Sequence, residues 1–140
     1  MNNKTKTHKN NRGATFMEVM VAILVFGVGL EGLLNVYTQS MVMTKRADSA
    51  YTAYNLAKNH IERLKAMSFA LLPSAAEPDQ IPINADGDPD PDGLFLRTTT
   101  VNTGYAGNVL LTQVTVKVDY LFRGVQSGSP TQLTTVILSQ

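Results

Sequence analysis

Apolar side chains run almost without interruption from Ala14 to Tyr37, and Glu18 and Glu31 are the only charges in that span. About 20 apolar residues suffice to cross the hydrocarbon core as a helix, so the stretch is membrane-length. Beyond Tyr37 the pattern turns amphipathic, with no proline or glycine to break it. Ala47, Ala50, Tyr54, Ala57, Ile61, Leu64 and Ser68 recur at steps of three and four, which paints one narrow stripe on a helix. Thr52, Asn55, Asn59, Glu62 and Lys65 fall on the other side, where Glu62 is placed to pair with Lys58 or Lys65. The pattern predicts one helix from about Ala14 to Phe69, longer than an ordinary globular helix. Its first half is membrane-length, and its second half packs the stripe against a sheet.

Pro73, Pro78, Pro82, Pro89 and Pro91 end the helical text, and residues 70–93 read as loop. The remainder, 94–140, has strand character. Leu94 to Val101 is rich in Thr, Val 109 to Phe122 alternates cleanly, and a third run spans Thr131 to Leu138. In the middle run Val114, Val116, Val118, Tyr120 and Phe122 share one face, with Thr115, Lys117 and Asp119 on the other, so one face is buried. Gly104, Gly107 and Asn108, and then the segment from Gly124 to Pro130, make short connections that favour an antiparallel meander.

Charge is unevenly placed. Lys4, Lys6, Lys9 and Arg12 give residues 1–13 a charge of +4, while the rest carries eight basic and eleven acidic side chains. A basic head before an apolar helix places residues 1–13 in the cytoplasm and the bulk of the chain across the membrane. Gly27, Gly29 and Gly32 lie within that helix, where lipid tolerates glycine and small residues let helices pack closely. There is no cysteine, so no disulfide, thioether-linked lipid or thiolate metal site is available. His8 and His60 are the only histidines, too few for a histidine-based catalytic constellation, and no nucleophile and base pair is legible. His60 lies beside the apolar stripe and reads as a boundary residue. The chain is expected not to be an enzyme.

The junction Gly13-Ala14-Thr15-Phe16-Met17-Glu18, followed by an apolar helix and a strand-rich domain, resembles the class III signal peptide of type IV pilins and pseudopilins. The resemblance implies cleavage by prepilin peptidase between Gly13 and Ala14, N-methylation of Ala14, and a glutamate at the fifth mature position, which is Glu18. Two details depart from the family pattern. Ala14 stands where phenylalanine or methionine is usual, and Asn35 stands near the place where many major pilins carry proline. The run Ile23 to Leu33 and the run Tyr54 to Lys65 look most like PilV-type minor pilins, with Glu31 in place of a leucine.

Physics gives Glu18 a partner. A carboxylate in lipid is costly, as is a free amine, and two opposite charges in a low-dielectric site attract strongly. The amine created at Ala14 fits Glu18 as an assembly charge pair, within one helix end or between subunits; the resemblance implies a neighbouring subunit, and the alternative is a glutamate that snorkels to the interface.

The expected architecture is therefore an α+β lollipop of the type IV pilin kind. Residues 1–13 form the leader, 14–37 the transmembrane and filament-core half of the helix, and 38–140 an extracytoplasmic domain. There the stripe Ala50, Tyr54, Ala57, Ile61 and Leu64 packs onto an antiparallel sheet of three or four strands. The resemblance implies a minor pilin of a type IV pilus, supporting motility, adhesion or attachment, with a minor pseudopilin of type II secretion as the alternative. Implied partners are other pilin subunits, prepilin peptidase and the inner-membrane assembly platform, with the filament outside the cell as destination.

Other readings are weaker. A secretory signal peptide would be interrupted by Glu18, and Tyr37-Thr38-Gln39-Ser40 lacks a small-x-small cleavage site. A single-pass membrane-anchored binding protein is the residual alternative. Asp86, Asp88, Asp90 and Asp92 alternate as in half of a calcium loop, but position twelve is Thr99 and Pro89 and Pro91 stiffen the run. A structural calcium there competes with a solvated surface turn. Arg97, Lys117 and Arg123 are too sparse a basic set for nucleic acid.

Overall fold

The structure, a computed structural model, describes residues 15–139. Helix α1 spans Phe16–Lys65, followed by a 3₁₀ turn at Phe69–Ala75. Strands β1 (Glu77–Ile83), β2 (Phe95–Thr103), β3 (Leu111–Phe122), β4 (Val125–Gln126) and β5 (Thr131–Leu138) complete the chain. It is an α+β protein with two compact units, which divide between Val42 and Met43.

The first unit is the N-terminal part of α1. The helix starts at Thr15, whose carbonyl accepts from the Glu18 N–H at 2.9 Å, with its hydroxyl 3.4 Å from the same N–H. Thr15 thus sits where helix N-caps do, with Glu18 in the first turn, where a negative charge complements the helix dipole. Every residue from Thr15 to Met41 is exposed.

The second unit packs α1 residues from Met43 onward on one face of the sheet. Neighbouring strands run antiparallel in the order β1-β2-β3-β5, and β4 adds a two-residue pairing at the end of β3. This is the expected meander, with four long strands. Alternation works as the sequence indicates: Val114, Val116 and Val118 are fully buried, and they lie opposite Val101, Thr99 and Arg97 of β2 and Thr135, Leu133 and Thr131 of β5. These side chains and Phe95, Ile83 and Leu72 meet Ala53, Leu56, Ala57, Ile61 and Leu64 of α1. Each fully buried valine or leucine contributes about 1.5–3 kcal/mol relative to exposure.

Three expectations need correction. The helical stripe is rotated: Ala53 and Leu56 are buried, whereas Tyr54 is 44% exposed on the flank and Ala47 is exposed. Small Ala53 and Ala57 allow the helix backbone to approach the sheet, and a tyrosine between them would not fit. Helix α1 ends at Lys65 rather than Phe69, because the Ala66 and Met67 N–H groups already bond three residues back and Ser68 is extended. Finally, 70–93 is not all loop, since β1 lies inside it.

Strand β1 escapes recognition because Pro78 and Pro82 interrupt it. Pro78 falls in a bulge, where register shifts between Glu77 and Ile81. The Pro82 carbonyl accepts from the Asp90 N–H at 3.0 Å, on the side away from β2, so its missing N–H is one that β2 never needed. Edge strands and bulges are where a sheet accepts proline. Gly93 closes the following loop against Ile83: a Cβ on Gly93 would stand 2.3 Å from the Ile83 carbonyl oxygen.

At the far end of β3, Arg123 (φ 55°) and Gly124 (φ 78°) form the tight turn to β4, as two-residue hairpins require. Arg46 of α1 and Arg123 both lie over the Phe122 ring, with guanidinium carbons 5.0 and 5.6 Å from its centroid, within cation–π range. The Asp119 carboxylate, buried on the outer face, accepts from the Ser127 hydroxyl and the Tyr120 N–H and so fixes the β4 to β5 turn.

Candidate functional site

Two places concentrate chemistry: the apolar half of α1, and a polar cluster beneath its second half.

In the first, Phe16, Met17, Ile23, Leu24, Val25, Phe26 and Val28 are each more than 60% exposed. The mean hydropathy of the apolar window reaches 2.2, and α1 is the one helix among the described residues long and apolar enough to cross a membrane. Gly27, Gly29 and Gly32 have no atom within 4 Å of where a Cβ would stand. They leave shallow places on a bare surface rather than filling contacts within this chain. Glu18 is exposed in the first turn. Gly13 and Ala14, the expected cleavage and methylation positions and the expected partner of Glu18, lie outside the described residues.

The second place is a cluster that no local pattern announces. Arg97 is on β2, and its core-facing parity buries it to 6% exposure. A buried guanidinium needs partners for its donors. Its Nε and Nη2 groups donate to the two carboxylate oxygens of Glu77 on β1 at 2.8 and 2.7 Å, and Nη1 donates to the Gly87 carbonyl at 3.1 Å. Thr99, two residues along β2 and fully buried, donates its hydroxyl proton to Glu77 at 2.8 Å. Its oxygen therefore accepts from His60 Nε2 of α1 at 3.1 Å, which makes the neutral ring the Nε2–H tautomer.

The electrostatics follow from that geometry. Burial, reinforced by the Arg97 guanidinium, pushes the His60 imidazole down to about 4, against a smaller opposing pull from Glu77. Burial by itself would raise the Glu77 carboxyl, but hydrogen bonds from Arg97 and Thr99 and the charge of Arg97 outweigh it and hold the group below its ordinary value. No buried side-chain polar atom among the described residues lacks a partner. With each buried polar atom partnered, the cluster is a clamp that ties α1, β1, the loop at Gly87 and β2 together. Arg97 is thereby withdrawn from any surface role, and His60, partly buried at the boundary of the stripe as expected, is also a clamp member.

The acidic loop is built by local caps. Asn84 Oδ1 accepts from the Asp86 and Asp88 N–H groups, both at 3.0 Å, and Asp90 Oδ1 accepts from the Asp92 N–H at 3.0 Å. Asp86, Asp88 and Asp92 are exposed. Among the described residues no three His, Cys, Asp or Glu side chains converge as a metal site would require. Glu62 forms no ion pair with Lys58 or Lys65, since the ion pairs found among the described residues are those of Glu77.

Comparison with family models, curated proteins and solved structures finds no match to this chain. The sequence held one hint of the cluster, though not of its partners: Arg97 and Thr99 share parity with Phe95, which places an obligate hydrogen-bond donor on the buried face. The capping pattern Thr15-x-x-Glu18 was equally visible.

Proposed function

We propose that this chain is a minor pilin, a structural and assembly subunit that enters or primes a type IV pilus through the apolar half of α1. The observation that carries the reading is the apolar surface from Phe16 to Met41, bare around its whole circumference. A surface of that size marks burial in lipid or against other helices. Before assembly the bilayer covers it; in the filament, the helices of neighbouring subunits do. Glu18 and the processed amine of Ala14 then set axial register, because a carboxylate moved into a helical bundle needs an opposite charge at its own level.

The clamp supports the same reading, since a subunit handed from membrane to fibre needs a folded domain that holds its shape. No covalent chemistry is assigned to it.

Two measurements test the proposal. N-terminal sequencing and mass spectrometry of the mature protein should find a methylated Ala14 as first residue; a start near Met41 would exclude the reading. Glu18→Ala should leave synthesis and cleavage intact but reduce the protein recovered in sheared filaments at least tenfold, whereas normal incorporation would remove the register role.

A further inference from the structure

The two edges of the sheet are treated very differently by the sequence. The β1 edge is closed: Pro82 removes a donor, and the loop that follows pairs back on it through Asp90 and the Ile83 to Pro89 bridge. The β5 edge is open. Its residues, Thr131-Gln132-Leu133-Thr134-Thr135-Val136-Ile137-Leu138, include no charge, proline or glycine, and among the described residues β5 pairs with β3 alone. Natural edges are normally blunted by one of those devices.

The backbone of β5 can be sorted by side. The Ser139 N–H donates to the Leu110 carbonyl directly across the ladder at 2.9 Å. In an antiparallel pair bonded and non-bonded positions alternate, so odd-numbered residues spend their groups on β3. Gln132, Thr134, Val136 and Leu138 then direct theirs away from the sheet. The close approach of the Thr115 and Thr134 hydroxyls, 3.1 Å, agrees with a non-bonded pair at that position.

Beside this edge lies a groove of about 230 Å³ between β5 and the flank of α1. Tyr54, Ile61 and Leu133 supply its apolar lining, and Lys58, Glu62 and Lys65 its charged rim. Positions 54, 58, 61 and 65 follow helical spacing, so α1 presents a second stripe over the place where one more strand would lie.

We propose that β5 and this groove bind an extended segment of another protein by strand addition, with apolar residues at alternate positions entering the groove and an acidic residue meeting Lys58 and Lys65. The main-chain groups of the even-numbered β5 residues supply the hydrogen bonds, and the groove reads the side chains. A second copy is the poorer occupant. Its β1 edge is closed, its β5 edge brings no acid, and its own rim of Lys58, Glu62 and Lys65, net positive, would face the same net-positive rim. The inference stands apart from the filament role of the apolar helix.

The test uses the full chain in detergent micelles and two fluorescein-labelled peptides, Thr-Val-Thr-Glu-Thr-Val-Thr-Val and the same peptide with Lys for Glu, in which the valines and the charged residue share the face that meets the groove. Fluorescence anisotropy should show binding of the acidic peptide and at least tenfold weaker binding of the basic one. Val136→Pro removes an outward N–H that β3 does not use, so it should weaken the acidic peptide at least tenfold while the near-UV circular dichroism stays that of wild type. The pair Lys58→Glu and Lys65→Glu, both exposed, should reverse the peptide preference. Absence of binding to the wild-type chain, or equal binding by a natively folded Val136→Pro chain, overturns the proposal. A peptide-free dimer that Val136→Pro dissolves would assign the edge to a second copy and overturn it too.

Discussion

Replacing Glu77 with alanine strands a charge. The Arg97 guanidinium, 6% exposed, loses both partners of a bidentate pair held at 2.7 and 2.8 Å, and Thr99 loses its acceptor. Removing one member of a buried ion pair costs about 3–5 kcal/mol, mostly as the penalty of the charge left behind. The Glu77 side chain is 18% exposed, so water reaches one side of the pair and the expected loss is about 2–4 kcal/mol. Against a total of about 5–15 kcal/mol for an ordinary domain, that is a large share. Urea titration of the chain in detergent micelles, followed by the near-UV circular dichroism of its tyrosines, would report the shift in midpoint. The decisive comparison is the double variant Glu77→Ala with Arg97→Met. Removing both charges should recover at least half of the loss, because the methionine fills the space without needing a counter-ion. A single variant within about 1 kcal/mol of wild type, or a double variant no better than the single, would refute the clamp.

Acid should loosen the same cluster. The folded state holds His60 at about 4, whereas the unfolded chain protonates near the ordinary value of about 6.5. Between those values the unfolded state binds more protons, so the His60 contribution is complete above about pH 6.5 and is lost as pH falls towards 4. Allowing for solvent around a partly buried ring, the loss is about 1–2 kcal/mol. The lowered Glu77 carboxyl acts in the same direction further into acid. Stability measured between pH 7 and 4 should therefore slope, and His60→Gln should flatten the slope; an unchanged slope in the variant would assign the effect elsewhere. Gly93→Ala tests the loop closure, because a Cβ 2.3 Å from the Ile83 carbonyl oxygen forces backbone to move. A loss of about 2 kcal/mol is expected from overpacking of this kind, and an unshifted melting temperature would show that the loop yields freely.

Much of the architecture was legible because it is written in periods. The alternation of β3 identified its buried valines, and the apolar run located the first half of α1. What failed to show was set by partners distant in sequence. Tyr54 satisfies the helical spacing as well as Leu56 does, and only the sheet's closeness to Ala53 and Ala57 decides between them. Strand β1 reads as loop because its prolines are permitted only by its place at an edge. The clamp joins His60, Glu77, Arg97 and Thr99, with separations of 20, 22 and 39 residues along its bonds, so no window of sequence contains it. Only the parity of Arg97 hints that an acid must come from somewhere.

The division of labour along α1 carries a genetic consequence. Buried positions of the second unit that fall on the helix lie between Ala53 and Leu64, while everything from Thr15 to Met41 is bare. Substitutions in the two stretches are therefore separable as alleles. Changes among the bare residues spare the fold of the second unit, and changes among the buried ones act through protein abundance. The same helix is thus free to drift under two independent selections, one for what surrounds it and one for what it covers.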